Sequence, residues 1–360
     1  MSYQLTPLIA TIKGASLKDK LLFTKNLSLI IKAGMPLPRG LELLSLQVTS
    51  PLFQWVIAQI KNEVIKGKEF SEALSAYPHL FSPFYISMVK SGEASGTLEE
   101  ALKHVAAHME KERALRSKVL GALTYPAIVL AVMIIVIIVM MVFAVPKLTA
   151  VFKDFNVELP LMTRIVIGLS DFMVHNLLLL FLVTIGSFVV GWYFLFRIKG
   201  GRVLASWLAL HIPLVATLTK KLNSARIART LQTLISSGVP ILKALSISAQ
   251  VVQNHFYRAM LLEAGREVEK GKQLNEILKR YPGLYQPVTS GLVAIGEETG
   301  SLDVILKDLA TFYEDEIDNM TKNLSSTVEP LLMVVIGVIV GFFAIAMLTP
   351  IYTLTSSISY

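Results

Sequence analysis

A phosphate-binding loop requires G-x-x-x-x-G-K-[ST], because backbone amides must wrap the phosphates while the lysine and hydroxyl reach phosphate and magnesium. The nearest approach in this chain is Gly265 to Lys272. Its glycines stand one residue too far apart, Gln273 replaces the hydroxyl, and the stretch has a helical pattern. No nucleotide site is expected there. His104 and His108 lie four residues apart and would share a helix face, so they could offer two positions to a metal. Two ligands do not complete a site, and no glutamate separates them as in H-E-x-x-H; a solvated helix face is the reading adopted. Asp171, His175 and Glu329 fall at the edges of apolar runs. Intramembrane ionisable groups are functional candidates by default, but at an interface hydration is cheap, so an interfacial position is preferred to an ion path. The chain has no cysteine, which excludes disulfides, thiolate metal sites and cysteine nucleophiles. No catalytic, cofactor or metal constellation is expected.

One motif occurs twice: G-E-x-[ST]-G-x-L, as Gly92-Glu93 to Gly96 and Leu98, and as Gly296-Glu297 to Gly300 and Leu302. The glycines suit a tight helix-to-helix turn where φ is positive. The Ser or Thr after the second glycine can cap the next helix, and the glutamate can accept from amides freed by the turn. A structural role for this glutamate is favoured over a partner or cation contact. The spacing between copies is 204 residues, and the same offset relates Gly34 and Pro36 to Gly238 and Pro240. It also relates Glu72 to Glu276, each a carboxylate in a short amphipathic helix, expected to be paired or solvated. Pro126 matches Pro330 inside apolar runs, where a helical proline loses a hydrogen bond and kinks the helix or starts a new one. A register that holds without a gap for over a hundred residues is a duplication.

The elements that position these motifs read as helices. Ser16 and Asp19 form a capping-box pair ahead of Leu21, Leu22, Leu29 and Ile30 at helical spacing. Gly34 and Pro36 stop that helix, Ser50-Pro51 starts another, and Gly67 ends it. Ser82-Pro83 opens a helix closed near Gly92, and a last one starts near Thr97 and runs into an apolar span. The chain is 53% hydrophobic and 17% charged, against about 25% charged in soluble domains, and its mean hydropathy is +0.59. Three stretches reach the roughly 20 apolar residues a span needs: about Leu123–Val145, Leu177–Phe196 and Leu331–Tyr352. Basic residues cluster before the first and after the second, and Lys322 precedes the third, which places the N-terminus and both large segments in the cytoplasm and the short loop and C-terminus outside. Met1 to Lys20 lacks the basic and apolar regions of a cleaved signal peptide. The net charge of +8 is spread with mixed sign, which fits a face toward anionic lipid and no nucleic-acid partner.

The expected fold is all-α: two tandem cytoplasmic helical bundles from an internal duplication, plus three transmembrane helices. The boundaries are a short N-terminal segment 1–16, module one 17–118, membrane helix 119–145, periplasmic loop 146–164, membrane helix 165–196, module two 197–327, membrane helix 328–352 and a periplasmic tail 353–360.

The run Phe23 to Leu37 (FTKNLSLIIKAGMPL), the two G-E-x-[ST]-G-x-L motifs, the pairs Tyr77-Pro78 and Tyr281-Pro282, and the duplication around three spans resemble the type II secretion F / type IV pilus PilC family of inner-membrane platform proteins. The resemblance covers nearly the whole chain from about Leu17. It implies a non-enzymatic, cofactor-free homo-oligomer at the base of a pilus or pseudopilus machine. Its partners would be a cytoplasmic hexameric secretion ATPase, pilins or pseudopilins, other inner-membrane assembly proteins and the lipid bilayer. Many members carry a longer segment ahead of the first module than the roughly 16 residues here. A small multi-pass transporter or channel is the alternative, since duplication is common there; it requires polar, broken helices at mid-membrane, unlike these apolar runs.

Overall fold

A computed structural model of the protein describes residues 15–154, 160–213 and 215–358, and the elements within them are helical. Residues 1–14, most of the short N-terminal segment, lie outside the described residues. Leu17–Lys32 (α1) opens with the capping box: Ser16 Oγ accepts from the Asp19 amide at 3.1 Å while the Asp19 carboxylate accepts from the Ser16 amide. Leu37–Gln47 (α2), Pro51–Ile65 (α3), Phe70–Ser75 (α4) and Pro83–Ser95 (α5) follow. Ser82 caps α5 through its side chain, whereas Ser50 makes no such bond to α3 and leaves its start to Pro51. The sequence closes α5 near Gly92; the structure carries it to Ser95 and ends it at Gly96, with φ +73°. Leu98–Val139 (α6) passes through Pro126 without ending there.

The chain beyond α6 departs from the boundaries read in the sequence. Val145 is not the end of a helix, because a π-helical segment, Met140–Ala144, leads directly into Val145–Asp154 (α7). Pro146 offers no amide to Val142, and the wider turn just before it absorbs that missing bond. Residues 155–159 of the expected loop lie outside the described residues. The stretch 165–196 is two helices, Leu161–His175 (α8) and Leu177–Arg197 (α9). They part at Asn176, whose side-chain amide donates to the Phe172 carbonyl at 3.1 Å and competes with the helical ladder. Lys199–His211 (α10) then turns sharply away; at Gly201 a Cβ would overlap the Phe194 carbonyl. Among the described residues, two helical stretches are long and apolar enough to cross a membrane, Leu98–Ala150 and Leu302–Thr349. A third results only if Leu182–Leu195 and Gly200–His211, bent by 94°, count as one span.

Val215–Ser236 (α11), Ile241–Val251 (α12), His255–Glu269 (α13), Leu274–Lys279 (α14), Pro287–Thr299 (α15) and Leu302–Ile358 (α16) complete the chain. Pro330 lies within α16, and that helix continues to Ile358 through most of the expected 353–360 tail. Positive φ occurs at Gly34, Gly67 and Gly96 and again at Gly238, Gly271 and Gly300, each pair separated by the repeat offset.

The helices form two compact units. Of the described residues, the first joins those up to Ser117 to those of Ser206–Ile317, and the second joins those of Lys118–Ala205 to those from Asp318 onward. In the first unit α1–α5 close on an aromatic cluster: Phe23 and Phe53 lie 5.4 Å apart edge to face, and Phe81 and Tyr85 5.0 Å. The corresponding helices α11–α15 enclose Tyr257 and Tyr285 at 5.5 Å. The buried hydroxyl contact changes places between the two sets. Thr24 on α1 bonds Tyr85 on α5 in the first, and Thr289 on α15 bonds Tyr313 on α16 in the second. In the second unit Met141, Val145, Val166, Phe343 and Ala346 form a small apolar core. Two hydroxyls of α8 tie it together: Ser170 donates to the Met141 carbonyl and Thr163 to the Ala346 carbonyl. Such bonds hold helices where lipid offers no hydrophobic drive between them.

Candidate functional site

The two G-E-x-[ST]-G-x-L motifs occupy matching positions on α5 and α15. Glu93 accepts from the amides of Phe70 at 2.6 Å and Ser71 at 2.8 Å, the first two residues of α4. Glu297 accepts from the amides of Leu274 at 2.5 Å and Asn275 at 2.9 Å, the first two of α14, and also from Asn275 Nδ2 at 2.7 Å. The residues before α4 and α14, Glu69 and Gln273, make no side-chain cap of their own. The carboxylate from the next long helix therefore binds the orphan amides and sits on the positive end of the short helix. Sequence reasoning assigned these glutamates to the adjacent turn; their acceptor role instead reaches 22 residues back. Gly92 and Gly296 are helical rather than turn residues. A Cβ at Gly92 would come within 2.5 Å of the Ala101 Cβ, so this glycine lets α6 press against α5. Gly96 and Gly300 alone take the left-handed conformation that ends each helix.

Glu72 is exposed and lies 3.4 Å from Lys68; Glu276 is exposed. Gly34 and Gly238 carry the positive φ that ends α1 and α11, and Pro36 and Pro240 precede the next helices in extended conformation. The Gly238 turn also meets α5, where Ser91 Oγ donates to the Ser237 carbonyl at 2.9 Å. Asp171, His175 and Glu329 are exposed.

Among the described residues, a concentration of paired charge lies among α6, α11 and α16 of the first unit. Arg226 grips Glu112 with two nitrogens, at 3.0 and 2.5 Å. Arg229 meets Glu314 at 2.9 Å, Lys111 reaches the other Glu314 oxygen at 3.1 Å, and Lys221 meets Glu316 at 2.6 Å. Glu314 is 8% exposed, so its two cations satisfy a carboxylate that water barely reaches. Glu112 and Glu316 are repeat partners, yet Glu112 takes its cation from the other half of the chain. The offset explains why: Glu316 is held by Lys221, and one repeat before Lys221 stands Leu17, which can pair with no carboxylate.

His108 belongs to this cluster and not to a solvated face. Its ring lies 4.1 Å from that of Phe84, and its Nδ1 is buried without a hydrogen-bond partner among the described residues. Burial, then the Arg229 and Arg226 charges, pull its pKa down to about 4. Helical spacing from His104, which is exposed, could not reveal this, because Phe84 and both arginines come from other helices. Beside it opens a cavity of about 300 Å³ lined by Lys20, Tyr85, His108, Glu112 and Gln250 among others. Among the described residues no group of three or more His, Asp or Glu is placed to hold a metal ion.

The sequence model of the family described as Type II secretion system (T2SS), protein F matches this chain twice, over residues 23–146 and 227–350. The chain belongs to that family. The two T2SS protein F matches begin one repeat offset apart and each contains one glutamate cap. A type IV pilus assembly protein PilC of Thermus thermophilus is 36% identical over 348 residues, 96% of this chain and 85% of its own. A type IV pilus assembly protein TapC of Aeromonas hydrophila is 35% identical over 346 residues, 95% of this chain and 83% of its own. A type II secretion system protein F of the same species is 31% identical over 350 residues, 96% and 89% respectively. As a T2SS protein F family member the chain is a multi-pass inner-membrane protein without enzymatic activity.

Proposed function

We propose that this protein is the inner-membrane platform of a type IV pilus or type II secretion machine, coupling a cytoplasmic hexameric ATPase to the polymerisation of pilins or pseudopilins. Its two sets of cytoplasmic helices are copies of one module, each continuing into a membrane helix, with α9 as the return span. The N-terminus is cytoplasmic and the C-terminus periplasmic. The protein works as a homo-oligomer beside other inner-membrane assembly proteins. The observation that carries this reading is α6: one helix runs from Leu98, past Lys111 and Glu112 of the charge network, into the apolar run before Val139. An uninterrupted helix transmits a tilt or rotation that a flexible linker would dissipate. The motif glutamates serve this design as braces, holding α4 and α14 against the helices that feed the membrane.

The test is a Gly-Ser insertion next to Ser117 in the full-length chain. Pilus assembly or secretion should be lost while the protein stays folded, inserted and able to co-purify with the ATPase. Normal assembly in that variant would sink the coupling mechanism. Failure of the wild-type chain to co-purify with either the ATPase or the pilins would sink the platform reading itself.

A further inference from the structure

The duplication allows the burial of each residue to be compared with that of its repeat partner. Two copies of one module bury the same positions by their own folding, so a position covered in one copy and open in the other is covered from outside its module. The differences fall on helical stripes. On α5, Phe84, Ser87 and Ser91 are wholly or partly covered, whereas Val288, Gly291 and Ile295 of α15 are exposed; Phe84 is 2% exposed and Val288 49%. On α11, Arg226, Arg229, Thr233 and Ser237 are wholly or partly covered, whereas Leu22, Lys25, Leu29 and Ala33 of α1 are exposed; Thr233 is 5% exposed and Leu29 59%. The covered stripes are the two sides of one seam within the first unit, where α5 packs on α11 and α12 and Ser91 bonds Ser237. The exposed stripes are the same two sides left open.

We infer that the α1 stripe of one copy of this chain docks on the α15–α16 stripe of the next, repeating between chains the seam that joins the two modules within one. The inference rests on the platform reading and gives its homo-oligomer a head-to-tail interface.

The side chains argue for this partner. The internal seam is polar: Ser91 meets Ser237, Glu112 holds Arg226, and His108 lies near Arg229 and Arg226. On the open stripes both sides change together. Ser91 becomes Ile295 as Ser237 becomes Ala33, and His108 becomes Phe312 as Arg226 becomes Leu22. Glu316, in the place of Glu112, is held within its own module by Lys221 and requires no cation from across the seam. A seam inside one chain is kept by connectivity and tolerates polar contacts; a seam between chains must also offset lost translational freedom, which apolar burial does. Lys25, in the place of Arg229, would face the Phe312 ring, a favourable cation–π contact. An unrelated partner would call for one apolar face, not for two that match across a seam the chain already makes. Height fits as well. Lys111 bonds Glu314, the neighbour of its own repeat partner Asp315. Here α6 and α16 therefore stand level, and the step from one module to the next is a rotation with little rise. A copy added by that step keeps the same membrane depth, and head-to-tail contacts close into a ring where the rotation divides the circle.

The absence of cysteine makes the test direct. Two full-length chains with different tags are co-expressed, one carrying Ala33→Cys and the other Ile295→Cys, and membranes are treated with a short bismaleimide. Both positions are exposed, so folding is spared. Ser91→Cys with Ser237→Cys in a single chain is the standard for the seam, because those residues touch. The expected result is a dimer bearing both tags, none from either variant alone, and a roughly tenfold loss when Leu22→Glu is added to the first chain, since its carboxylate would be buried unpaired. Dimers from one variant alone, equal yield from Trp55→Cys with Leu262→Cys on other exposed faces, adducts to a different protein only, or no dimer while the standard cross-links would each overturn the inference. Co-purification of the ATPase and pilins from the same membranes is scored separately: its absence refutes the platform reading, whereas the tagged dimer reports the interface alone.

Discussion

Replacing Glu93 with alanine removes the acceptor from two amides, those of Phe70 and Ser71, at the start of a helix only six residues long. A hydrogen bond to a charged group contributes about 1.5–3 kcal/mol net, so two give at most ~6 kcal/mol; water that reaches the opened helix returns part of this, leaving ~2–4 kcal/mol. At 1.4 kcal/mol per decade, amides of α4 should exchange roughly 30- to 700-fold faster with solvent. Glu93→Gln keeps the shape and one acceptor but turns a donor toward a donor, so it should fall between wild type and alanine. Glu297→Ala should exceed Glu93→Ala, because Glu297 also holds Asn275 Nδ2. The assay is hydrogen-exchange mass spectrometry of the full-length chain in detergent, following peptides that cover 66–81 and 270–285. Each substitution should accelerate exchange in its own peptide and leave the other unchanged. Exchange of the α4 amides within about threefold of wild type in Glu93→Ala would refute the capping argument, since loss of even one net hydrogen bond to a charge exceeds that.

Gly92→Ala should destabilise the fold more than Gly296→Ala, by about 1–3 kcal/mol against less in denaturant melts, because the new Cβ meets the Ala101 Cβ at 2.5 Å but Ile305 at 3.1 Å; Ala101→Gly should rescue the first and not the second. Arg229→Ala leaves Glu314 almost buried beside one exposed lysine and should cost about 3–5 kcal/mol in denaturant melts, while Lys111→Ala should cost under ~1 kcal/mol. His108 has its folded pKa pulled from 6.5 to about 4. The unfolded chain therefore takes up a proton below pH 6.5 that the folded chain refuses. Stability is full above pH 6.5 and falls as pH drops toward 4, losing on the order of 2–4 kcal/mol from this group. His108→Phe should flatten that part of a melting-temperature profile, and an unchanged profile would show that the imidazole is hydrated.

The local rules of this chain are written in its local sequence. Ser16 with Asp19 caps α1, glycine sits wherever a helix ends left-handed, and proline opens α3 and α5, because each depends on residues within one turn. The apolar runs announce membrane helices for the same reason: their length and composition are properties of a contiguous stretch. The reading failed where one residue answered to a distant one. Pro146 looked like an end and is a passage, because the π-turn ahead of it takes up the lost bond. Asn176 divides a stretch whose hydropathy alone reads as continuous.

The repeat, the helical class and the family were legible from sequence alone, since an offset of identical residues needs no coordinates. What Glu93 and Glu297 bind was not. Both stand in a turn motif, and only the packing of α5 on α4 and of α15 on α14 aims them at amides two dozen residues earlier. His108 was misplaced for the same reason: its helix spacing is local, whereas Phe84, Arg226 and Arg229 reach it from other helices. Sequence fixes what each turn of helix can do by itself; burial and charge pairing depend on which helices the fold brings side by side.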